Sequence, residues 1–340
     1  MLPRSMSMSK QNRNHFCLYQ CALFALSLLA LIAGGVTPLA AQEYPQREIR
    51  SICNFAAGSG ADILVRYYSD KLSRLAGKPV IVENKPGALG NIATEFVAKA
   101  APDGYTINIG PLSSTLASAP HIFKKVSFDP LKDFIAVASI AKLSFVLAVD
   151  AKGPVYTVAQ LVEYLKKKPG DGMYGAGNNS GLIGGELFKD RAGLKTTYVP
   201  YKTSQQAVND VMGGQLDFFV YDATFTVGQA KAGLVRIIAA TSGQRSPALG
   251  NVPTLIESGL AGIDITPWWG VAVPAGVPRP IVEKLAGWFN QISAMEETKT
   301  FLSRVATDPF PGTPEATAAL LRADYERWGQ YVKLAKIEPQ

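Results

Sequence analysis

Short apolar runs alternate with amphipathic stretches along this chain, and the alternation comes in two series. In the first series, strands are predicted at residues 49–55, 80–83 and 105–109, and helices at 63–75 and 92–100. In the second, strands are predicted at 145–149, 173–174, 197–199, 216–220 and 236–240, and helices at 158–167, 182–192 and 204–212. A strand at 270–273 and helices at 279–293 and 314–335 close the chain. Strands that alternate with helices predict an α/β fold with mostly parallel sheets.

The first 41 residues have the three parts of a secretory signal peptide. Arg4, Lys10 and Arg13 precede an apolar run over residues 16–36, and small residues follow at positions 39–41. These features predict cleavage near Ala41 and export to the periplasm as a soluble protein. Because the apolar run approaches the length that spans a membrane, an uncleaved anchor helix is the alternative.

Composition and charge narrow the kind of partner. Hydrophobic residues make up 47% of the 340 residues and charged residues 18%, which is typical of a globular protein. The net charge of +7 falls to +4 without residues 1–41, and the longest basic run is residues 166–168. So mild a charge, without a basic cluster, predicts no nucleic-acid partner.

Without the predicted signal peptide, Cys53 is the only cysteine and His121 the only histidine. One cysteine forms no internal disulfide, and the spacing of a zinc site is missing. One histidine nearly excludes a Ser-His-Asp triad. We therefore predict a binding protein that is not an enzyme and that uses no metal and no cofactor. An isomerase or lyase with Tyr221 and Asp222 as an acid–base pair is the enzymatic alternative.

A loop of small residues connects the first predicted strand to the first predicted helix. It runs from Phe55 through Ala57, Gly58, Ser59 and Gly60. Small residues let a ligand approach backbone N–H groups, and a helix N-terminus favours an anion. A plain strand-to-helix turn is the alternative interpretation.

Asp62 follows this loop, and Arg66 lies four residues later. We expect Asp62 to cap the helix and to pair with Arg66.

A second loop of the same kind opens a helix in the second series. It contains Gly175, Ala176, Gly177, Asn178 and Ser180. Two such loops at strand ends, facing each other across a cleft, would hold an anion from both sides through N–H groups.

From Tyr44 to about Ile337 the chain resembles the periplasmic receptors of tripartite tricarboxylate transporters, the Bug family. The motifs that carry the resemblance are Tyr44–Arg50, Phe55–Asp62, Val82–Ile92, Ala98–Thr106, Gly185–Phe188, Val199–Lys202, Gly213–Asp217, Arg245–Leu249, Val252–Thr254 and Pro274–Pro278. Their number and order make the resemblance specific.

The resemblance implies a type II periplasmic-binding fold, with two α/β lobes, a double crossover and a ligand cleft between the lobes. Lobe one is expected at residues 43–147 plus 267–340, and lobe two at 148–266. The implied ligand is a small organic acid: a di- or tricarboxylate, an aromatic carboxylate or an amino acid. The implied partners are the membrane subunits of a transporter or, alternatively, a sensor kinase. We expect a monomer.

The chain departs from the family pattern in both loops. The segment 174–186 is about two residues shorter, and an apolar residue near Leu182 or Ile183 replaces a histidine. Ser59, Leu89 and Thr203 each stand where the family commonly has glycine. The hydroxyl of Ser59 is a candidate to hold a ligand or a water molecule.

Other cleft candidates follow from their position at strand ends. Ser113 and Ser114 follow the third strand, Tyr221 and Asp222 follow the strand at 216–220, and Trp268 lies near the second crossover. The alternatives are a polar turn, a helix cap and hinge packing, respectively. The complete candidate set is Phe55, Ala57, Gly58, Ser59, Gly60, Asp62, Gly87, Ser113, Ser114, Gly175, Ala176, Gly177, Asn178, Ser180, Thr203, Tyr221, Asp222 and Trp268.

Overall fold

The computed structural model describes residues 44–339 apart from residues 169 and 171. The predicted signal peptide therefore lies outside the described residues. The chain divides into a unit of residues 1–46, of which residues 44–46 are described, and a unit of residues 47–340. All elements below belong to the second unit.

Two β-sheets organise this unit. Their strands are β1 Ile49–Cys53, β2 Val80–Asn84, β3 Thr106–Gly110, β4 Phe134–Leu143, β5 Phe145–Asp150, β6 Met173–Ala176, β7 Thr197–Pro200, β8 Phe218–Asp222, β9 Val235–Ala240, β10 Trp268–Pro274 and β11 Thr307–Pro309. The first sheet has the strand order β11-β4-β10-β3-β1-β2, and the second has the order β7-β6-β8-β5-β9. We call the first sheet with its helices lobe one, and the second sheet with its helices lobe two.

Ten α-helices connect and cover the strands in the described part of the chain. They are α1 Gly60–Ala76, α2 Asn91–Ala98, α3 Ala119–Ile122, α4 Val158–Lys166, α5 Asn179–Ala192, α6 Ser204–Met212, α7 Ala223–Lys231, α8 Arg279–Ala294, α9 Glu296–Arg304 and α10 Pro314–Leu334. No described helix is both long enough and apolar enough to cross a membrane.

Both sheets are mixed rather than mostly parallel. In lobe one β1 runs parallel to β2 and β3, but β10 runs antiparallel to β3 and β4. In lobe two β6 runs parallel to β7 and β8, but β5 runs antiparallel to β8 and β9. The difference has a topological reason: β5 and β10 each arrive from the other sheet, without the crossover helix that makes consecutive strands parallel.

The chain passes between the lobes twice. Ser144 alone separates β4 from β5, and residues 241–267 lead from β9 back to β10. At the crossing Ser144 Oγ donates a hydrogen bond to Ser242 Oγ at 2.9 Å, so the two connections are joined side by side. The exact lobe boundaries at residues 147 and 267 stay a prediction.

Helix α1 shows how the sequence determines an element that positions the site. Its residues Leu64, Val65, Tyr68 and Leu72 recur at helical spacing and are fully buried. Gly77 ends the helix in the left-handed conformation, with φ of 65°. The buried face fixes the direction in which the first turn of α1 points.

Candidate functional site

One cleft collects residues from both lobes. Its lining residues are Phe55, Ala56, Ser59, Ala61, Pro111, Ser114, Phe145, Gly177, Asn178, Lys202, Thr203, Ser204, Tyr221, Asp222 and Trp269. The cleft is narrow, because the centre of a water molecule can occupy only about 30 Å³ of it. An organic acid therefore needs the lobes to separate before it can enter.

The first loop ends at the N-terminus of α1. Ser59 caps this helix, since its Oγ accepts a hydrogen bond from the backbone N–H of Asp62 at 3.2 Å. The prediction that Asp62 is the cap was therefore wrong: Asp62 is the third residue of the helix. Its Oδ2 instead accepts a hydrogen bond from Gly58 N at 2.9 Å, which ties the helix back to the loop.

The predicted pair of Asp62 with Arg66 is confirmed, at 2.9 Å between Oδ2 and Nε. Burial acts to raise the pKa of Asp62, but hydrogen bonds from Arg66, Gly58 and Asn84 together lower it below the ordinary value. Asp62 is thus ionised and fully engaged within the loop.

The second loop ends at the N-terminus of α5 in the same way. Asn178 caps α5 by accepting a hydrogen bond from Gly181 N at 2.8 Å. Gly177 precedes it, and a Cβ atom there would lie 2.5 Å from Tyr221 Oη and 2.7 Å from the carbonyl oxygen of Tyr201. Only glycine fits this close approach. The two capped helices thus bring N–H groups from both lobes to one cleft.

Tyr221 and Asp222 end β8 at the floor of the cleft. The side chain of Tyr221 is buried, and its hydroxyl has no hydrogen-bond partner among the described residues. Asp222 caps α7, since its Oδ1 accepts from Phe225 N at 2.9 Å. Burial raises the pKa of Asp222 to about 6. Asp222 therefore both caps the next helix and lines the cleft.

Two pairs of adjacent residues, Ser113 with Ser114 and Trp268 with Trp269, each have one member in the cleft and one in the interior. Ser114 and Trp269 line the cleft. Ser113 Oγ and Trp268 Nε1 both donate to Oδ2 of the buried Asp324 in α10, each at 2.6 Å. The structure thus places the predicted residues Ser113 and Trp268 behind the cleft wall.

A hydrogen bond also joins the lobes at the cleft edge. Asn179 in α5 donates from Nδ2 to the carbonyl oxygen of Ser114 at 2.8 Å, and Asn179 is fully buried. Separation of the lobes would have to break this contact.

The remaining candidates lie outside the cleft. Ala57 and Gly58 are exposed. Gly175 and Ala176 belong to β6, and Ser180 is buried in α5 with no partner for its hydroxyl among the described residues. Gly60 starts α1 and packs against Asp222 rather than lining the cleft.

Sequence reasoning missed several lining residues, of which Lys202 matters most. Lys202 is exposed at the mouth, and no ion pair joins it to a described residue. Its neighbour Thr203 lines the cleft as predicted and caps α6 through Gln206 N. The family motif at residues 199–202 includes Lys202, but the motif alone does not show that this side chain lines the cleft.

A second pocket adjoins the cleft. The two share Phe55, Gly177 and Lys202, and the second pocket adds Gly87, Ala88, Leu89, Gly90, Phe123, Pro200 and Tyr201. The predicted residue Gly87 therefore lies beside the cleft. We call this second pocket the annex. In the described part of the chain, no group of three or more His, Cys, Asp or Glu side chains is placed to hold a metal ion.

The sequence model of the tripartite tricarboxylate transporter family receptor matches residues 64–337. The chain belongs to this receptor family. It is 29% identical over 315 residues to Protein BugT of Bordetella pertussis, covering 92% of this chain and 96% of BugT. The resemblance seen in the sequence motifs is confirmed, and with it the type II periplasmic-binding fold.

Solved structures agree with this assignment. Rpa4515 of R. palustris, solved with adipate, is 30% identical with a TM-score of 0.84, covering 88% of this chain and all of that one. MatC of Rhodopseudomonas palustris, solved with malate, is 25% identical with a TM-score of 0.79, covering 85% of this chain and all of that one. Receptors of this family are periplasmic binding proteins, and the chain is a solute-binding receptor rather than an enzyme.

Proposed function

We propose that this receptor captures a small organic carboxylate in the cleft between its lobes. The observation that carries the proposal is the convergence of two capped helix N-termini, one from each lobe, on one cleft with Lys202 at its mouth. Backbone N–H groups at helix N-termini favour anions, and a free lysine adds a positive charge. The adipate and malate held by two related structures are both carboxylates.

The hydrogen bonds of the lining residues indicate what each side chain can offer to the ligand. Ser59, Asn178 and Thr203 already use their side-chain oxygens as helix caps. Each of these side chains accepts through its oxygen and keeps a donor, the O–H of Ser59 and Thr203 and the Nδ2 of Asn178, that it can offer to a carboxylate. The Tyr221 hydroxyl is still free to bond, so we assign it a direct hydrogen bond to the ligand.

The export of the receptor and its membrane partner are a second part of the proposed function. We infer export with cleavage near Ala41, and delivery of the ligand to the membrane subunits of a tripartite tricarboxylate transporter. A sensor kinase is the alternative partner. Loss of ligand uptake on deletion of the receptor gene supports the transporter, whereas loss of a transcriptional response with uptake intact supports the sensor.

A thermal-shift screen with matched acids and amides tests the ligand class. We expect mono- or dicarboxylates to raise the melting temperature, because a ligand that binds only the folded state stabilises it. Hexanamide and adipamide, which lack the charge of hexanoate and adipate, should give no shift, since charge-assisted hydrogen bonds are the stronger ones. Calorimetry then gives the affinity. Equal shifts from acids and amides, or no shift from any organic acid, would contradict the proposal.

A further inference from the structure

A strained turn forms one wall of the annex. Ala88 and Leu89 both have left-handed backbone conformations, with φ of 45° and 52°. For a bulky side chain such as leucine this conformation is a true outlier and costs free energy of folding. Glycine takes this conformation without cost, whereas leucine does not. The strain therefore calls for a role of the leucine side chain itself.

That role is visible in what Leu89 faces. The annex is lined by Leu89, Phe55, Phe123, Pro200 and Tyr201, none of which is fully buried. Their apolar surfaces face a space of about 290 Å³ into which the centre of a water molecule fits. The hydroxyl of Tyr201 is turned away, because it donates to Asp210 Oδ2 at 2.5 Å.

One charged side chain lies at the boundary between the two pockets. Among the described residues, Lys202 is the only charged one that lines the annex, and it lines the cleft as well. A carboxylate near Lys202 and the capped helices would leave its attached carbon chain pointing past Phe55 and Gly177 into the annex. A second carboxylate placed at the Leu89 wall would lose its hydration among apolar side chains.

We propose that the ligand is a monocarboxylate with an apolar tail, and that the tail occupies the annex against Leu89. The inference rests on the proposed function, because it assumes that the carboxylate lies in the cleft. Each methylene group of the tail that is buried there adds to the affinity.

Hexanoate and adipate form the sharpest pair of probes, since they share a six-carbon chain and differ by one terminal carboxylate. Calorimetry should show hexanoate binding at least tenfold more tightly than adipate. Tighter binding of adipate would overturn the inference while leaving the proposed function intact. Binding of neither acid, nor of any other organic acid, would overturn both.

Two variants at position 89 distinguish the role of Leu89 in the annex wall from its role in the stability of the fold. Leu89→Gly removes the apolar surface and relieves the strain, and Leu89→Asn keeps a side chain of similar size that tolerates a left-handed backbone. Both should weaken hexanoate binding about fivefold to tenfold, leave adipate binding within twofold, and keep the melting temperature at or above that of the parent. Ala306→Gly, at a second left-handed position outside the annex, should leave both affinities unchanged. An equal loss for both acids at position 89 would show a general effect on the site and overturn the inference.

Discussion

Gly60 and Asp222 touch across the cleft, at the first residue of α1 and the last residue of β8. A Cβ atom on Gly60 would overlap Oδ1 of Asp222, so lobe one and lobe two approach here as closely as backbone and carboxylate allow. Because the space left in the cleft is only about 30 Å³, this contact must loosen for a ligand to enter and re-form when the lobes close. Gly60 is therefore the point at which closure is easiest to obstruct.

Gly60→Ala should impair closure without unfolding the receptor. The added methyl group collides with Asp222 only while the lobes are closed, and overpacking of this kind costs about 1–3 kcal/mol. We expect calorimetry to show ligand affinity about tenfold lower and the melting temperature little changed. The matched control is Gly287→Ala in α8, where a Cβ atom meets nothing within 4 Å. That variant should bind normally, and a loss of affinity there would remove the argument.

Asp222 should make ligand binding depend on pH. Burial raises its pKa to about 6 in the folded receptor, so the carboxyl group becomes neutral as the pH falls through that value. A neutral Asp222 repels a ligand carboxylate less, and we expect affinity for a carboxylate to increase several-fold between pH 7.5 and pH 5.5. Asp222→Asn retains an oxygen to cap α7 and has no charge, so its affinity should be higher at pH 7.5 and nearly flat over this range.

The free energy of unfolding should also depend on pH through Asp222, and it should fall as the pH rises. The pKa of Asp222 is higher in the folded receptor than the value of about 3.9 for an unfolded chain. Its contribution to the free energy of unfolding is therefore fully present below about pH 4 and is lost as the pH rises through about 6. Chemical denaturation of the parent and of Asp222→Asn at both ends of this window measures the difference. A difference that does not change with pH would rule out this assignment.

Tyr221→Phe should separate binding from stability. The hydroxyl is buried without a partner among the described residues, so its removal should leave the free energy of unfolding unchanged or slightly higher. Loss of a hydrogen bond to the ligand should weaken binding by about 1 kcal/mol, or roughly fivefold. Tyr174→Phe should lower the free energy of unfolding and leave ligand binding unchanged, because Tyr174 Oη donates to Glu186 Oε1 at 2.8 Å outside the cleft. Normal binding by Tyr221→Phe would mean that the hydroxyl does not reach the ligand.

Asp324 should prove necessary for the cleft wall although it does not line the cleft. Asp324→Ala leaves the buried donors of Ser113 and Trp268 without their acceptor, which costs about 3 kcal/mol in total. We expect a lower unfolding midpoint in urea and altered tryptophan fluorescence. Asp70→Ala, which removes an exposed carboxylate paired with Arg74, should change stability by less than about 0.5 kcal/mol. Equal effects of the two substitutions would count against the role of Asp324.

The sequence predicted most helices and strands because their apolar spacing is regular. Helix α6 was predicted with its observed bounds, and β5 differs by one residue at its end. The prediction for β8 was shifted by two residues, and β4 was missed altogether. Nearly all of β4 is buried on both faces, so its sequence lacks the alternation that marks a half-buried strand.

The site was predicted at the level of segments rather than of side chains. Both capped helices were located, but Trp268 was chosen where Trp269 faces the cleft. Successive residues of a strand point to opposite faces, and two adjacent tryptophans carry no signal of which face is which. The choice depends on Asp324, a residue 56 positions away that only the fold brings near.

The hydrogen bonds of Asp324 give the last helix an importance out of proportion to its distance from the ligand. A chain that stopped short of α10 would keep all eleven described strands, because β11 ends at Pro309 and α10 begins at Pro314. It would nevertheless lose the acceptor that orients the turn after β3 and the start of β10. Premature termination near the C-terminus should therefore produce a receptor that is exported and partly folded but does not bind its ligand.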